Sequence, residues 1–315
     1  MSLLQRLFMA FTIIRPKDSI VLPPRRKVAF ELTLPMQQAN RVEELTDKYR
    51  QAAQMSSNEQ VKIANGDTQI ASALGCAIQA QVHQLHPGLT LNKETIYDPV
   101  QDFENVTAED LDDMYASSDN YPRQAEARSK WLADLEEWSL QKLMESAHLN
   151  AIVNLIHHIS DMLGLRVVIF AQYLRYQDLV DRLLRHRHIV SYRYDGSVAS
   201  SKRARIQANF EAQNNSRPLL MTVGAGGIGL NLTEANIMIL CDEMWNDNEV
   251  AQAISRLHRQ GQDQEVLVLK FAIPNSAIDL EIIRTRENKV QVNTDLLKPL
   301  ITKHDAEPVI LKLLY

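Results

Sequence analysis

Cysteine is almost absent from this sequence: only Cys76 and Cys241 occur among 315 residues. The two lie far apart, and neither belongs to a CxxC pair or to the spacing of a zinc ribbon. A reducing compartment is therefore the simplest interpretation. Cys76 stands near His83 and His86, but no fourth ligand follows at a suitable spacing, so we expect no metal site there.

The sequence also has no apolar run that approaches the ~20 residues needed to span a bilayer. Its formal net charge is −5, and it contains no low-complexity tract. An acidic total does not exclude nucleic acid as a partner, because phosphate binding depends on local basic patches rather than on the sum. The only dense basic stretch lies between Arg182 and Arg205.

The N-terminal residues are apolar, include Arg6 and Arg15, and contain no acidic residue before Asp18. This composition permits a mitochondrial presequence. The alternative, which we favour, is a helix and a strand that belong to the fold.

The hydrophobic pattern changes near residue 165. Before it, residues 34–54 and 139–163 repeat apolar side chains three or four apart, which predicts helices. Residues 98–137 are strongly acidic and are expected to form a solvated insertion.

After residue 165, short β-branched strands alternate with helices, which predicts an α/β layer with right-handed crossovers. Several of the predicted strands are nearly all apolar, as in a parallel sheet covered on both faces. They span 166–172, 189–196, 217–223, 236–243 and 265–273, and the helices span 174–187, 200–213 and 247–259. Ligands on such sheets gather at the carboxyl ends of the strands, where YDGS, TVGAGG and DEMWN fall.

The glycine cluster at 224–229 fits G-x-G-x-x-G, the fingerprint of a dinucleotide-binding turn, and Asp242 follows at a suitable distance. However, only LNLTEAN separates Gly229 from the strand beginning near Ile237, whereas a crossover helix needs at least ~10–12 residues. Asp242 and Glu243 could likewise be mistaken for a magnesium-binding Walker B pair. The chain contains no G-x-x-x-x-G-K-[ST] phosphate loop, so we do not assign them as metal ligands.

Three segments resemble motifs of the second RecA-type lobe of superfamily-two helicases, and they occur in the same order and at similar spacing. The resemblance is more specific to the SWI/SNF-type DNA translocases. GAGGIGLNLTEAN resembles motif V of that family at Ala225, Gly226, Gly227, Gly229, Asn231, Leu232 and Ala235. AQAISRLHRQGQ resembles motif VI at Gln252, Ala253, Arg256, Arg259, Gly261 and Gln262. Between them, the family's DxxWN is matched by Asp242, Trp245 and Asn246. The strands VVIFAQY and YDGS extend the resemblance over about residues 165–275, and LPPRRK and QVHQLHPGL extend it loosely toward the N-terminus.

The resemblance implies a role for particular residues. Arg256 and Arg259 would be arginine fingers toward the β- and γ-phosphates of ATP, since arginine offers bidentate contacts that lysine cannot supply. Nucleotide-binding positions would be Gly226, Gly227, Gly229, Asn231 and Gln252. DNA-contacting positions would be Thr222, Ser197, Arg193, Lys202 and Arg203. The chain departs from the family at Gly224, Ser255 and Asp247, where Arg or Lys, Gly and Pro are usual.

The sequence thus predicts a RecA-like parallel sheet flanked by helices, preceded by a mostly helical connecting segment and protrusion. We expect a connecting segment at 1–35, a protrusion with the acidic insertion at 36–138, the lobe at 139–275 and a helical brace or tail at 276–315. The implied cofactor is ATP with Mg²⁺ held by a first lobe that this chain does not contain, and the implied partners are that lobe and the backbone of double-stranded DNA, with no membrane.

Two alternatives stay open: a non-catalytic DNA- or protein-binding module or remnant of such an ATPase, and a dinucleotide-dependent oxidoreductase. The expected location is the nucleus in a eukaryote and otherwise the cytoplasm, without secretion.

Overall fold

The computed structural model describes residues 22–54, 73–89, 121–196, 198, 200–212, 216–222 and 230–301. These residues form one six-stranded parallel sheet in the order β1-β6-β5-β2-β4-β3. The strands are β1 (Arg25–Glu31), β2 (Val167–Phe170), β3 (Tyr192–Tyr194), β4 (Leu219–Met221), β5 (Ile237–Leu240) and β6 (Val266–Ala272). The predicted α/β class and RecA-like parallel sheet are therefore confirmed.

Helices cover both faces of the sheet and extend from it. They are α1 (Met36–Gln54), α2 (Ala73–Leu85), α3 (Tyr121–Glu136), α4 (Leu140–Leu143), α5 (Ala147–His157), α6 (Leu174–His186), α7 (Ser200–Glu211), α8 (Asp247–Ile254) and α9 (Ala277–Ile301). No helix in the described ranges is long and apolar enough to cross a membrane.

Alternation along the strands divides the core between the two faces. Ile169 and Ile239 face the side covered by α5 and α6, whereas Phe170 and Leu240 face the side covered by α7 and α8. Strands β2 and β5 are buried along their whole length, which explains their continuously apolar sequence. Edge strand β1 is exposed except at Val28.

A third apolar cluster holds the N-terminal helices. Val42 of α1 and Ala77 of α2 pack with Ile278 of α9. The buried Gln38 side chain donates to the carbonyl oxygens of His83 (2.8 Å) and Gln84 (3.0 Å), which fixes α1 against the end of α2. The protrusion is thus bound to the lobe through α9.

The described part of the N-terminal segment contributes β1, a strand that belongs to the fold and pairs with β6. Three expectations about local structure differ from the observed elements. The helix expected at 139–163 is divided into α4 and α5. The division occurs because the Ser146 hydroxyl caps α5 by accepting from Leu149 N (3.0 Å). After α5 the chain forms a π-helical turn at His158–Met162.

The other two differences concern the acidic insertion and α8. Residues 121–136 of the expected solvated insertion form α3, whose Trp131 and Leu135 are buried in the core. The remainder of that insertion lies outside the described residues. The helix expected at 247–259 ends at Ile254, because residues 255–261 turn to meet the segment that enters β5.

Candidate functional site

The candidate site occupies two opposite edges of the sheet. We call the amino edge the segments that lead into strands: Pro23–Pro24, Leu232–Ala235 and the loop at 255–265. The carboxyl edge comprises the segments that follow strands: Ala171–Tyr173, Asp195–Gly196, Thr222 and Cys241–Asn246. The sequence placed YDGS, TVGAGG and DEMWN at the carboxyl edge. Arg256 and Arg259 lie at the amino edge, in the loop that leads into β6.

The loop backbone around the two arginines is fixed by bonds to neighbouring segments. Leu232 N donates to the Arg256 carbonyl oxygen (3.0 Å), and Arg256 N donates to the carbonyl of Ala253 (3.2 Å). The His258 ring nitrogen Nε2 lies 2.8 Å from the carbonyl oxygen of Pro23. The bond from Leu232 connects the end of motif V with motif VI, and the contact of His258 connects motif VI with the segment before β1.

Gln262 holds the other side of this loop. Its side chain is buried, and its amide nitrogen donates to the carbonyl oxygens of Thr233 (3.1 Å), Ala235 (3.0 Å) and Leu257 (3.3 Å). The backbone of Gly261 adopts φ +101°, a conformation that residues with a Cβ atom rarely adopt, so glycine is required there. Gln262 therefore organises the loop.

The two arginine side chains do not take part in this network. Arg256 is partly buried and Arg259 is exposed. Neither guanidinium forms a hydrogen bond or ion pair with another described residue. The sequence predicted that a helix over 247–259 would carry both arginines. Neither lies on a helix, because α8 ends at Ile254.

At the carboxyl edge the DxxWN residues have structural partners. Asp242 accepts a hydrogen bond from Gln172 N (3.1 Å), which joins the segments after β2 and β5. Asn246 caps α8 by accepting from Asn248 N (2.9 Å). The Trp245 indole nitrogen donates to Gln81 Oε1 (2.8 Å), and its ring packs edge-on against Tyr49 at 5.7 Å. Trp245 is therefore a packing residue at the junction with α2.

Buried acids lie behind this edge. Burial raises the pKa of Asp242 to about 8, and the nearby Asp279 and Glu243 carboxylates add to the rise. Burial likewise raises the pKa of Asp279 to about 7. Glu243 pairs with Lys270 and with Arg286 (2.9 Å). Among the described residues, no group of three or more potential ligands could hold a metal ion.

The YDGS turn after β3 is stabilised internally. Arg193 pairs with the buried carboxylates of Asp178 (2.6 Å) and Asp195 (3.0 Å). Although burial acts to lower it, the pKa of Arg193 is raised by these two carboxylates. Arg203 donates to the carbonyl oxygens of Val198 (3.0 Å) and Asp195 (3.3 Å) and lies over the Tyr194 ring. Both arginines thus support the turn.

Four of the remaining predicted site residues lie among the described residues. Thr222 follows β4 and is partly buried, whereas Lys202, Asn231 and Gln252 are exposed. Lys202 forms no ion pair with a described residue. Ser197, Gly224, Gly226, Gly227 and Gly229 lie outside the described residues.

Two residues that sequence reasoning missed connect the parts of this site. Asp178 accepts from Arg128 of α3 (2.5 Å) and from the Trp131 indole (2.7 Å), in addition to Arg193. Gln81 accepts from the Tyr173 hydroxyl (2.7 Å) as well as from Trp245. The available signal for Asp178 was its position beside the apolar residues Tyr176 and Leu179 on α6, where a solvated acid is not expected.

Comparisons with known proteins agree with this arrangement. Residues 147–261 match the helicase conserved C-terminal domain. The chain is 32% identical over 162 residues to the DNA repair protein rad5 of Neurospora crassa, a match that covers 50% of this chain and 13% of that protein. It is 37% identical over 132 residues to the DNA repair protein RAD5 of Saccharomyces cerevisiae, covering 40% of this chain and 11% of that protein.

A third relative is a SWI/SNF-related regulator of chromatin, subfamily A, containing DEAD/H box 1, of Xenopus tropicalis. It is 32% identical over 164 residues, which covers 51% of this chain and 16% of that protein. The chain thus spans less than a fifth of the length of these relatives.

A solved structure of the C-terminal part of the Fun30 ATPase domain shares the fold with a TM-score of 0.57. That match is 20% identical and covers 84% of this chain and 90% of that one. The chain therefore carries a helicase conserved C-terminal domain within a RecA-like fold, and the relatives that it matches are Rad5- and SWI/SNF-type proteins.

Proposed function

We propose that this chain is the second lobe of an ATP-dependent DNA translocase, in which Arg256 and Arg259 contact the β- and γ-phosphates of ATP bound by a first lobe. The observation that carries the proposal is the contrast within the loop at 255–262. Its backbone is fixed by Leu232 and Gln262, while both guanidiniums have no partner among the described residues.

Phosphoryl transfer gains most from positioning and from neutralising charge on the phosphate oxygens. Two guanidiniums on a fixed backbone provide both, and their bidentate geometry suits phosphate better than an ammonium group does. Gln252, Asn231 and the turn at Gly226, Gly227 and Gly229 would complete the nucleotide-facing surface. Mg²⁺ would be held by the first lobe.

The carboxyl edge would contact the DNA backbone. Lys202 is exposed and lacks an ion pair with any described residue, and Thr222 ends a buried strand at the same edge. Together with Ser197 they would bind phosphates without reading base sequence. Arg193 and Arg203 would act mainly by holding the turn that presents these residues, because their guanidiniums are engaged by Asp178, Asp195 and backbone carbonyls.

The experiment mixes the 315-residue chain with a separately expressed first lobe that contains a Walker A lysine and a Walker B acid. DNA-stimulated ATP hydrolysis is measured for each part and for the mixture. We expect turnover only in the mixture, and we expect Arg256→Ala to lower it by about 10³-fold or more, as for other arginine fingers. Arg259→Lys, which keeps the charge but loses the bidentate fork, should also impair it.

The matched control is Arg284→Ala on α9, an exposed arginine without an ion pair among the described residues. It should leave turnover unchanged. Robust hydrolysis by the isolated chain would refute the proposal. An inactive mixture that still binds DNA would favour the non-catalytic module instead.

A further inference from the structure

Edge strand β1 leaves half of its backbone groups without a partner. β1 pairs only with β6 among the described residues, and the pairing is parallel. Val266 N donates to the Pro24 carbonyl (3.0 Å), and Leu32 N donates to the Ala272 carbonyl (2.9 Å). In a parallel ladder, alternate residues direct both groups to the same neighbour. Even-numbered residues therefore face β6, and the N–H and C=O groups of Arg25, Lys27, Ala29 and Glu31 point outward.

No described residue satisfies these outward groups, and the strand is seven residues long. A long open edge of this kind is a template for an added strand. Soluble proteins usually shorten, cover or charge such edges. In β1 the edge is charged.

The charge on one face of the edge is positive. Because register pairs Lys27 with Val268, its side chain lies on the same face as Lys270 of β6. Neither Arg25 nor Lys27 forms an ion pair with a described residue. The pKa of Lys27 is lowered by partial burial, then by the charges of Arg25 and Lys270, while Asp247 acts in the opposite direction.

The other face of β1 is apolar toward its end. Phe30 is 38% exposed and its ring lies 5.7 Å from that of Phe271, while Val28 packs at the margin of the core. An added strand would thus meet Arg25 and Lys27, followed by Glu31, on one face. On the other face it would meet Arg26, which pairs with Glu265 (3.0 Å), and then Val28 and Phe30. A second copy of this chain fits less well, because in a symmetric antiparallel pairing centred on Val28 only Arg25 lies opposite an acid, Glu31. Lys27 would lie opposite Ala29, and Arg26 opposite Phe30.

We propose that the outer edge of β1 binds an extended segment of a partner protein by strand addition, and that this segment alternates acidic and apolar residues. Backbone bonds to Arg25, Lys27, Ala29 and Glu31 provide affinity. Carboxylates opposite Arg25 and Lys27 and apolar side chains beside Val28 and Phe30 provide specificity. This surface uses none of the residues proposed to contact phosphate or DNA, so the inference stands whether or not the proposed translocase activity is found.

The test titrates the full chain with a fluorescent peptide of seven residues, the length of β1, in which glutamate alternates with valine. Two control peptides replace glutamate with lysine or gather the glutamates into one block. Fluorescence anisotropy should show saturable binding of the alternating acidic peptide and none of the two control peptides. This binding should weaken as salt is added.

Two variants test the two halves of the site. Ala29→Pro removes an outward N–H without touching the ladder to β6, and should abolish binding while the protein stays folded by circular dichroism. Lys27→Glu should weaken binding by about fivefold or more, on the scale of cross-strand charge pairs. The matched control, Lys130→Glu on the exposed side of α3, should bind as the parent does.

If Ala29→Pro does not fold, the comparison of Lys27→Glu with Lys130→Glu decides. Equal binding of all three peptides, absence of saturable binding, or equal affinity of Lys27→Glu and the parent would overturn the inference. Dimerisation of the chain through this edge, detected by light scattering and removed by Ala29→Pro, would overturn it in favour of a second copy.

Discussion

The two edges of the sheet use their polar side chains differently. At the carboxyl edge, Asp242, Trp245 and Arg193 are bonded to other parts of the chain. At the amino edge, the backbone around Arg256 and Arg259 is hydrogen-bonded, but no described residue bonds to their guanidiniums. One edge is stabilised through its side chains, and the other presents side chains on a stabilised backbone.

This contrast separates residues that share a family motif. Asn246 and Gln262 match the motifs as well as Arg256 does, yet the first caps a helix and the second ties three carbonyls together. Their physical role is complete within the chain. The arginines have no such role here, so an outside ligand is the simpler explanation for them.

The largest expected loss of stability comes from Asp178. Asp178→Ala removes the acceptor shared by Arg128, Arg193 and Trp131, and should lower the free energy of unfolding by about 2–4 kcal/mol. Urea denaturation measures the change. Asp134→Ala, an exposed acid on the same helix as Arg128, is the control and should change little. Equal losses for both would contradict the role of Asp178.

A smaller loss is expected at the amino edge from Gln262→Met, which keeps the shape of the side chain and removes its donor. Three carbonyl oxygens lose their partner, so the free energy of unfolding should fall by about 2 kcal/mol. The exposed Gln264→Met is the control. An unchanged stability for Gln262→Met would show that the loop does not depend on this amide.

The acids behind the carboxyl edge should make stability depend on pH. Asp242, with its pKa raised to about 8, keeps a proton in the folded state that it loses in the unfolded state above pH ~4. Folding therefore becomes less favourable as pH rises toward 8, by about 1–2 kcal/mol between pH 6.5 and 8. Asp279, with its pKa raised to about 7, adds to this decrease. His86 and His148, with their pKa lowered to about 4, oppose it slightly, because their unfolded imidazoles lose their remaining protons above pH ~6.5. A comparison with a variant of Asp242 removes these shared contributions.

The comparison is between the parent and Asp242→Asn, whose amide oxygen can still accept from Gln172. Denaturation at pH 6.5 and at pH 8 should show a smaller decrease for Asp242→Asn. A decrease of the same size in both proteins would mean that Asp242 is ionised throughout.

The smallest effect on stability should come from the arginine pair itself. Arg256→Ala and Arg259→Ala should each stay within about 0.5 kcal/mol of the parent, because neither side chain has a partner among the described residues to lose. Thermal unfolding by circular dichroism measures this. A loss as large as that of Gln262→Met would indicate a structural role and would weaken the proposed phosphate contact.

The sequence predicted the sheet well, since the apolar runs at 166–172 and 236–243 contain β2 and β5, and both are buried on two faces. It predicted the end of α8 poorly, because the loop at 255–261 is held by a hydrogen bond from Leu232 N, a residue in the earlier segment that leads into β5. The acidic composition of 98–137 concealed α3, although Trp131 and Leu135 are spaced as on a helix face.

The candidate site was predicted by residue type but not by geometry. Arg193 and Arg203 looked like surface cations, and only the folded chain brings Asp178 and Asp195 against Arg193. The positions of Ser197 and the glycine turn remain predictions, since they lie outside the described residues.

The amide of Gln81 has a mechanical consequence. It accepts hydrogens from Tyr173 and Trp245, and its nitrogen donates to the Glu243 carbonyl (3.0 Å). A single side chain of α2 thus bonds to the segments that follow two neighbouring strands, β2 and β5. Tilting α2 away from the sheet would break three hydrogen bonds at once, so a rotation of the sheet is expected to move α2 with it.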